Sequence, residues 1–235
     1  MGNNAVWAIV PAAGIGTRML SDRPKQYLEL AGQTILEHTL GRLASHPRIV
    51  GIIVAVASDD PWWPLLTLPE DAFIHVVDGG QERSDSVLNA LNKLAKITSD
   101  DPWVLVHDAA RPCLRHDDID AMLDTLFEHA VGGILAVPVN DTVKRVHASQ
   151  QITQTVCRQG LWRAMTPQMF RLQALSVALT QAKQQKLAVT DDASAMELAG
   201  FQPMIVEGHS DNIKITLPQD LALAGLFLQQ QAGEQ

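Results

Sequence analysis

The stretch Val6-Trp7-Ala8-Ile9-Val10-Pro11-Ala12-Ala13-Gly14-Ile15-Gly16-Thr17-Arg18-Met19 reads as a buried strand running into a glycine turn. Val6–Val10 is continuously apolar, as expected of a strand covered on both faces. Ile52–Ala57, Phe73–Val77, Trp103–His107 and Gly133–Val137 share that character. Between them, Thr34–Ser45, Glu82–Lys96 and Asp117–His129 carry apolar residues at helical spacing. Leu36, Leu40 and Leu43 form one stripe, and Val87, Leu88, Leu91 and Leu94 another. Strands that alternate with helices predict an α/β fold, a mostly parallel sheet flanked by helices. In such a sheet, ligands belong at the carboxyl ends of the strands.

The second half is less regular. Thr142–His147 and Ile152–Val156 read as a polar hairpin with little to bury by itself. It is either an ordinary surface hairpin or an arm that packs on something else, such as a second subunit. Helices are expected over Leu172–Gln184 and Asp191–Leu198, then strands over Met204–Glu207 and Asn212–Thr216, and a last helix after Pro218. There is no internal repeat and no low-complexity linker, so one domain over residues 1–235 is expected.

Composition bounds the function. The chain has 235 residues, of which 46% are hydrophobic, which excludes a disordered chain. Two isolated cysteines, Cys113 and Cys157, form neither a disulfide framework nor a zinc spacing, and a reducing cytoplasm is the simplest expectation. No apolar run is long enough to span a bilayer, and the first residues lack a signal-peptide pattern. A net charge of −8 argues against a general nucleic-acid binder. Locally the sign reverses. Residues 11–27 hold Arg18, Arg23 and Lys25 against Asp22 alone, a net of +2. A solvated surface is the usual explanation of such a cluster. Beside a glycine turn at a strand end, an anion site is the better one.

The turn is not the dinucleotide fingerprint, because Met19 occupies the third glycine position, and no Walker Lys-Ser/Thr follows. A second glycine turn, Asp78-Gly79-Gly80, opens the next helix, where Ser84 and Ser86 could serve as a cap or as ligand contacts. The run His107-Asp108-Ala109-Ala110-Arg111-Pro112 ends another strand. Asp108 stands where a strand-end carboxylate would hold a metal, although a turn-capping role fits the pattern too. His107 lacks a partner at ligand spacing and reads as structural.

Taken together these strings resemble one family along almost the whole chain, the 2-C-methyl-D-erythritol 4-phosphate cytidylyltransferases. The resemblance rests on Val10–Met19, Pro24-Lys25-Gln26-Tyr27, Asp78-Gly79-Gly80 with Arg83 and Ser86-Val87, and His107–Pro112. It continues through Asp141-Thr142-Val143-Lys144, Thr166-Pro167-Gln168, Thr190–Ala195 and Asp211–Thr216. It implies a Rossmann-like nucleotidyltransferase domain with a β-arm at residues 140–158, a cytoplasmic location, Mg2+ as cofactor, and CTP and a sugar-alcohol phosphate as substrates. It also implies a homodimer joined through the arm. By motif matching, Arg18 and Lys25 take the transition-state-stabilising positions. Pro11, Ala12, Ala13, Gly14, Gly16, Gly80 and Ser86 fall on the nucleotide contacts. Asp108 falls on the metal ligand, with Asp211 a second acidic candidate. Arg111, Thr142, Arg158 and Lys214 fall on the sugar-phosphate positions, Thr142 and Arg158 being donated across the dimer. Gln81 and Cys157 depart from the pattern, each standing where an acidic residue is expected.

The chemistry suits these residues. A phosphate monoester is mostly a dianion at neutral pH, so it can attack a nucleotide α-phosphorus without a protein base. Positioning and charge neutralisation then carry the catalysis. No Ser-His-Asp or Cys-His pattern competes with that assignment. Two alternatives remain at this stage: a transferase for another polyol phosphate such as ribitol 5-phosphate, and a non-catalytic nucleotide-binding module. At 235 residues a fused second enzyme is not expected.

Overall fold

The apolar strands sort their side chains by parity, and that sorting builds two cores. In the computed structural model, which describes residues 6–14, 23–70 and 72–233, β1 (Val6–Pro11) sends Ala8 and Val10 to one face and Ile9 to the other. β4 (Ile49–Val56) does the same with Ile52 and Val54 against Ile53. The first core is closed by α1 (Ile35–Ala44) and α3 (His116–Leu126) through Leu36, Leu40, Ile119 and Leu123. The second is closed by α2 (Arg83–Ile97), α4 (Leu172–Gln184) and α5 (Asp192–Leu198) through Val87, Leu91, Leu175 and Met196. Because both faces are buried, these strands read as unbroken apolar runs in the sequence.

The remaining strands are β2 (Glu29–Leu30), β3 (Gln33–Thr34), β5 (Ile74–Asp78), β6 (Trp103–Val106), β7 (Gly132–Pro138), β8 (Val143–Val146), β9 (Ile152–Val156), β10 (Trp162–Arg171) and β11 (Met204–Glu207). Seven strands form the main sheet in the order β11-β7-β10-β6-β1-β4-β5. β1 is parallel to β4 and β6, β4 to β5, and β11 to β7. β10 alone runs antiparallel to both neighbours, β6 and β7. The mostly parallel α/β fold expected from the sequence is therefore present. β8 and β9 pair only with each other and form the expected hairpin.

Two elements differ from expectation. β10 has no strand signature in the sequence because Thr166-Pro167-Gln168 interrupts it with a proline and two polar residues, and its register with β7 breaks between Ala164 and Gln168. Asn212–Thr216, expected as a strand, has no regular secondary structure and joins no ladder among the described residues. Its backbone is held by other partners: Ile215 N–H donates to Ala110 O, while Asn212 O accepts from Arg111 and Ile215 O from Lys25. This segment anchors a third, small core in which Ile215 packs with Leu30, Ile35, Cys113 and Ala224 of α6 (Pro218–Gly233).

Candidate active site

Because β1, β4, β5 and β6 are parallel, the turns after them gather at one end of the sheet. The turn after β1 is shaped from below. Ala12 N–H donates to Ala55 O at 2.7 Å, and buried Gln26 donates its amide to Ala12 O at 2.6 Å and Gly14 O at 3.2 Å. Gln26 sits in the 3-10 turn Lys25–Tyr27, so the basic segment and the glycine turn are tied to each other. Pro11, Ala12, Ala13 and Gly14 lie in the described part of this turn. Gly16 and Arg18 lie outside the described residues.

The second glycine turn packs against the first. A Cβ on Gly79 would collide with the Ala13 methyl, and one on Gly80 would collide with Cβ of Asp85. Gly80 N–H donates to the Ser86 hydroxyl at 3.0 Å. Neither serine is the N-cap of α2. That position is Glu82, whose N–H donates to Asp85. Of the two roles its position in the sequence left open, the cap is excluded; the Ser86 hydroxyl holds the glycine turn in shape at the place expected for a nucleotide contact.

Asp108, just beyond β6, is the electrostatic centre. Its Oδ1 accepts from Arg83 Nε at 3.0 Å, and its Oδ2 lies 2.9 Å from Lys214 Nζ and 3.5 Å from Arg111 Nε. Its backbone N–H donates to Thr166 of β10 at 3.0 Å. Burial alone would raise its pKa, but Arg83, Lys214 and Arg111 hold the carboxyl well below the usual range. Arg111 is buried too and donates to Asn212 O at 2.7 Å. Burial lowers its pKa, and Asp108 opposes that shift. Lys25 donates to Ile215 O at 2.9 Å, which sets it beside the Lys214 segment. Arg111, Lys214 and Asp108 are thus brought together, and Lys25 is tied to the residue after Lys214.

His107 is fully buried, and its pKa is lowered to about 4 by that burial. Its neutral ring satisfies both neighbours: Nε2–H donates to Arg111 O at 3.0 Å, and Nδ1 accepts from the Thr166 hydroxyl at 3.2 Å. The structural role read from the sequence agrees with this arrangement.

Three expected site residues make no hydrogen bond or ion pair to Asp108 among the described residues. Asp211 turns its carboxylate to Arg115, 2.7 Å away, and to the Gln231 amide at 3.1 Å. It shares no partner with Asp108 among the described residues, and its Oδ1 is buried without a hydrogen-bond partner there. Thr142 and Arg158 lie at the base of the hairpin, both exposed, with Arg158 donating to Asn140 O. Within one chain neither bonds to the Asp108 cluster. A cavity of about 890 Å³ between α1, α6 and residues 67–70 contains none of these residues.

Four residues that build the site carry no local signal of that role. Gln26, Arg83, Thr166 and Asp192 act through contacts between segments far apart in the chain, and local spacing does not report those.

Two glycine turns and a cationic cluster around one carboxylate, at the carboxyl end of parallel strands, define an α/β protein of the nucleotidyltransferase class. The chain matches the family described as 2-C-methyl-D-erythritol 4-phosphate cytidylyltransferase over residues 6–230. It is 55% identical over 218 residues to the protein of that name from Pseudomonas fluorescens, spanning 92% of this chain and 93% of that one. It is 54% identical over 221 residues to the one from Vibrio vulnificus, spanning 94% and 93% of the two chains. The crystal structure of the Francisella tularensis 2-C-methyl-D-erythritol 4-phosphate cytidylyltransferase aligns with a TM-score of 0.83 and 40% identity, covering 95% of this chain and 99% of that one. The chain belongs to the 2-C-methyl-D-erythritol 4-phosphate cytidylyltransferase family.

Proposed function

We propose that this chain transfers the cytidylyl group of CTP to 2-C-methyl-D-erythritol 4-phosphate and releases pyrophosphate, a step of non-mevalonate isoprenoid synthesis. The observation that carries the site assignment is the convergence of Arg83, Arg111 and Lys214 on Asp108 beside two interlocked glycine turns. An oxygen of the acceptor phosphate attacks the α-phosphorus of CTP. The new P–O bond forms as the bond to the β-phosphate oxygen breaks, and pyrophosphate leaves with the electron pair. The dianionic acceptor needs no proton removed.

Pro11, Ala12, Ala13, Gly14, Gly16, Gly80 and Ser86 form the nucleotide-binding surface, where small residues let backbone N–H groups approach phosphate. Arg18 and Lys25 neutralise charge that grows on the transferred and leaving phosphates. Arg111 and Lys214 bind the acceptor phosphate. Asp108 would hold Mg2+ together with the nucleotide phosphates. A single strand-end carboxylate suits that ion, which takes one or two carboxylates besides phosphate oxygens and water. No cluster of three acidic, His or Cys residues competes for a metal among the described residues. When bound, the ion supplies further neutralisation of phosphate charge.

The hairpin β8–β9 supports a homodimer in which Thr142 and Arg158 reach the partner's site. It pairs with no other strand, and its Val146 and Ile152 are 53% and 64% exposed. A cytoplasmic enzyme fits the two free cysteines. Among the described residues no helix is long and apolar enough to cross a membrane.

Pyrophosphate release tests the reading, measured with CTP, UTP, ATP and GTP against methylerythritol and ribitol phosphates, with and without Mg2+. Release specific to CTP and methylerythritol phosphate is expected. Preference for ribitol phosphate, or CTP binding without release, would overturn it.

A further inference from the structure

We propose that Arg83 is a positioning residue for the transfer reaction. Buried Asp192 holds one side of its guanidinium, the other side fixes Asp108 by Oδ1, and Oδ2 is left as the face where cations and ligand exchange. The inference rests on the reading of Asp108 given above.

The argument starts at α5. Asp191 caps this helix by accepting from Ser194 N–H at 2.9 Å. Gln168 of β10 locks the same turn, accepting from Ala193 N–H and donating to Asp191, each at 2.8 Å. The next residue, Asp192, is fully buried, and its Oδ2 accepts from Arg83 Nη2 at 2.9 Å. A carboxylate taken wholly out of water is costly unless it is paired, so the pairing dictates where the guanidinium points. The planar fork of arginine then presents Nε to Asp108 at 3.0 Å. A lysine offers no such fixed fork. Burial works against the charge on Arg83, and its two acidic partners more than offset that; burial also raises the Asp192 carboxyl, which Arg83 opposes from 2.9 Å.

The two oxygens of Asp108 are therefore unequal. Oδ1 is bound to a group anchored in the interior. Oδ2 faces Arg111 and the half-exposed Lys214. The charges separate along the same line. Arg83 and Asp192 neutralise each other. Asp108, Arg111 and Lys214 remain, and with Asp108 holding a metal, Arg111 and Lys214 would be left to face a phosphate dianion. A tether that keeps Oδ1 still while Oδ2 exchanges partners orients the carboxylate, as outer hydrogen bonds orient metal-binding carboxylates in general.

The test uses Asp192→Asn, Arg83→Lys and the double variant in the full-length protein. Mn2+ binding in the presence of CTP is followed by electron paramagnetic resonance, alongside kcat and KM. Each single variant is expected to weaken Mn2+ binding and lower kcat roughly 10–100-fold, with KM for the acceptor phosphate changing far less. The double variant is expected to be no worse than the weaker single one. Arg83→Lys keeps the test valid if Asp192→Asn fails to fold. Unchanged Mn2+ affinity in the folded single variants, or losses that simply add, would overturn the inference. Asp108→Asn separates the two levels. If that variant is fully active, the reading of Asp108 fails. If it is inactive while Asp192→Asn behaves as wild type, only the role of Arg83 fails.

Discussion

Lys214 Nζ lies 2.9 Å from Asp108 Oδ2, so the cation assigned to the acceptor phosphate is held by the carboxylate assigned to the metal. Asp108→Asn keeps the shape and removes the charge. Arg83 and Arg111, both largely out of water, then lose their shared counter-charge. Turnover is expected to fall about 10²–10³-fold, by analogy with the loss of one electrostatic stabiliser. Stability is expected to fall on the order of 3 kcal/mol, as when one partner of a buried pair is removed. Pyrophosphate release and thermal denaturation measure the two effects, and wild-type values in both would contradict the central place given to Asp108.

Gln26 holds the first glycine turn by its carbonyls. Gln26→Leu fills the same space and leaves the buried Ala12 carbonyl without its donor, at a cost of about 1–3 kcal/mol. The turn loses its shape where CTP would lie. KM for CTP is expected to rise more than KM for the acceptor, and steady-state kinetics with each substrate varied checks the difference.

Acid should destabilise the fold through its buried histidines. His46 is buried and its pKa is lowered by that burial, which Asp120 only partly opposes. His107 is lowered to about 4 for the same reason. The unfolded chain takes up protons near pH 6.5, where the folded one does not, so stability is full above that value and is lost as pH falls below it. Denaturant midpoints measured from pH 7.5 down to 4.5 should decline. His46→Asn should make the decline shallower without abolishing it, since His107 contributes with the same sign.

The two thiols should differ in reactivity. Cys113 is fully buried and its pKa is pushed up to about 12 by burial, with Asp211 adding to the shift. Cys157 is exposed. Iodoacetamide under native conditions is expected to label Cys157 alone, because the thiolate is the reacting form and must be reachable. Peptide mass analysis identifies the labelled residue, and equal labelling of Cys113 would contradict its place in the small core beside Ile215.

Much of the molecule is legible from short-range pattern. β1, β4 and β6 announce themselves as apolar runs because both faces are buried, and α1 and α2 through leucine stripes on one face. β10 stays hidden because its pairing depends on two neighbours that tolerate Thr166-Pro167-Gln168, which no local rule favours. Asn212–Thr216 has the composition of a strand, yet side chains of Arg111 and Lys25 take up its carbonyls in place of a ladder.

The site divides along the same boundary. Local pattern alone specifies the α/β class, the glycine turns, the local excess of positive charge and the residue types that phosphate chemistry needs. Each of these is written in neighbouring residues, so periodicity and composition report them. Tertiary structure decided which charges meet. It set Arg83 between Asp108 and Asp192, from three separate elements, and sent Asp211 to Arg115 and Gln231. Electrostatic interactions act through space, at distances set by packing, and separation along the chain does not encode them.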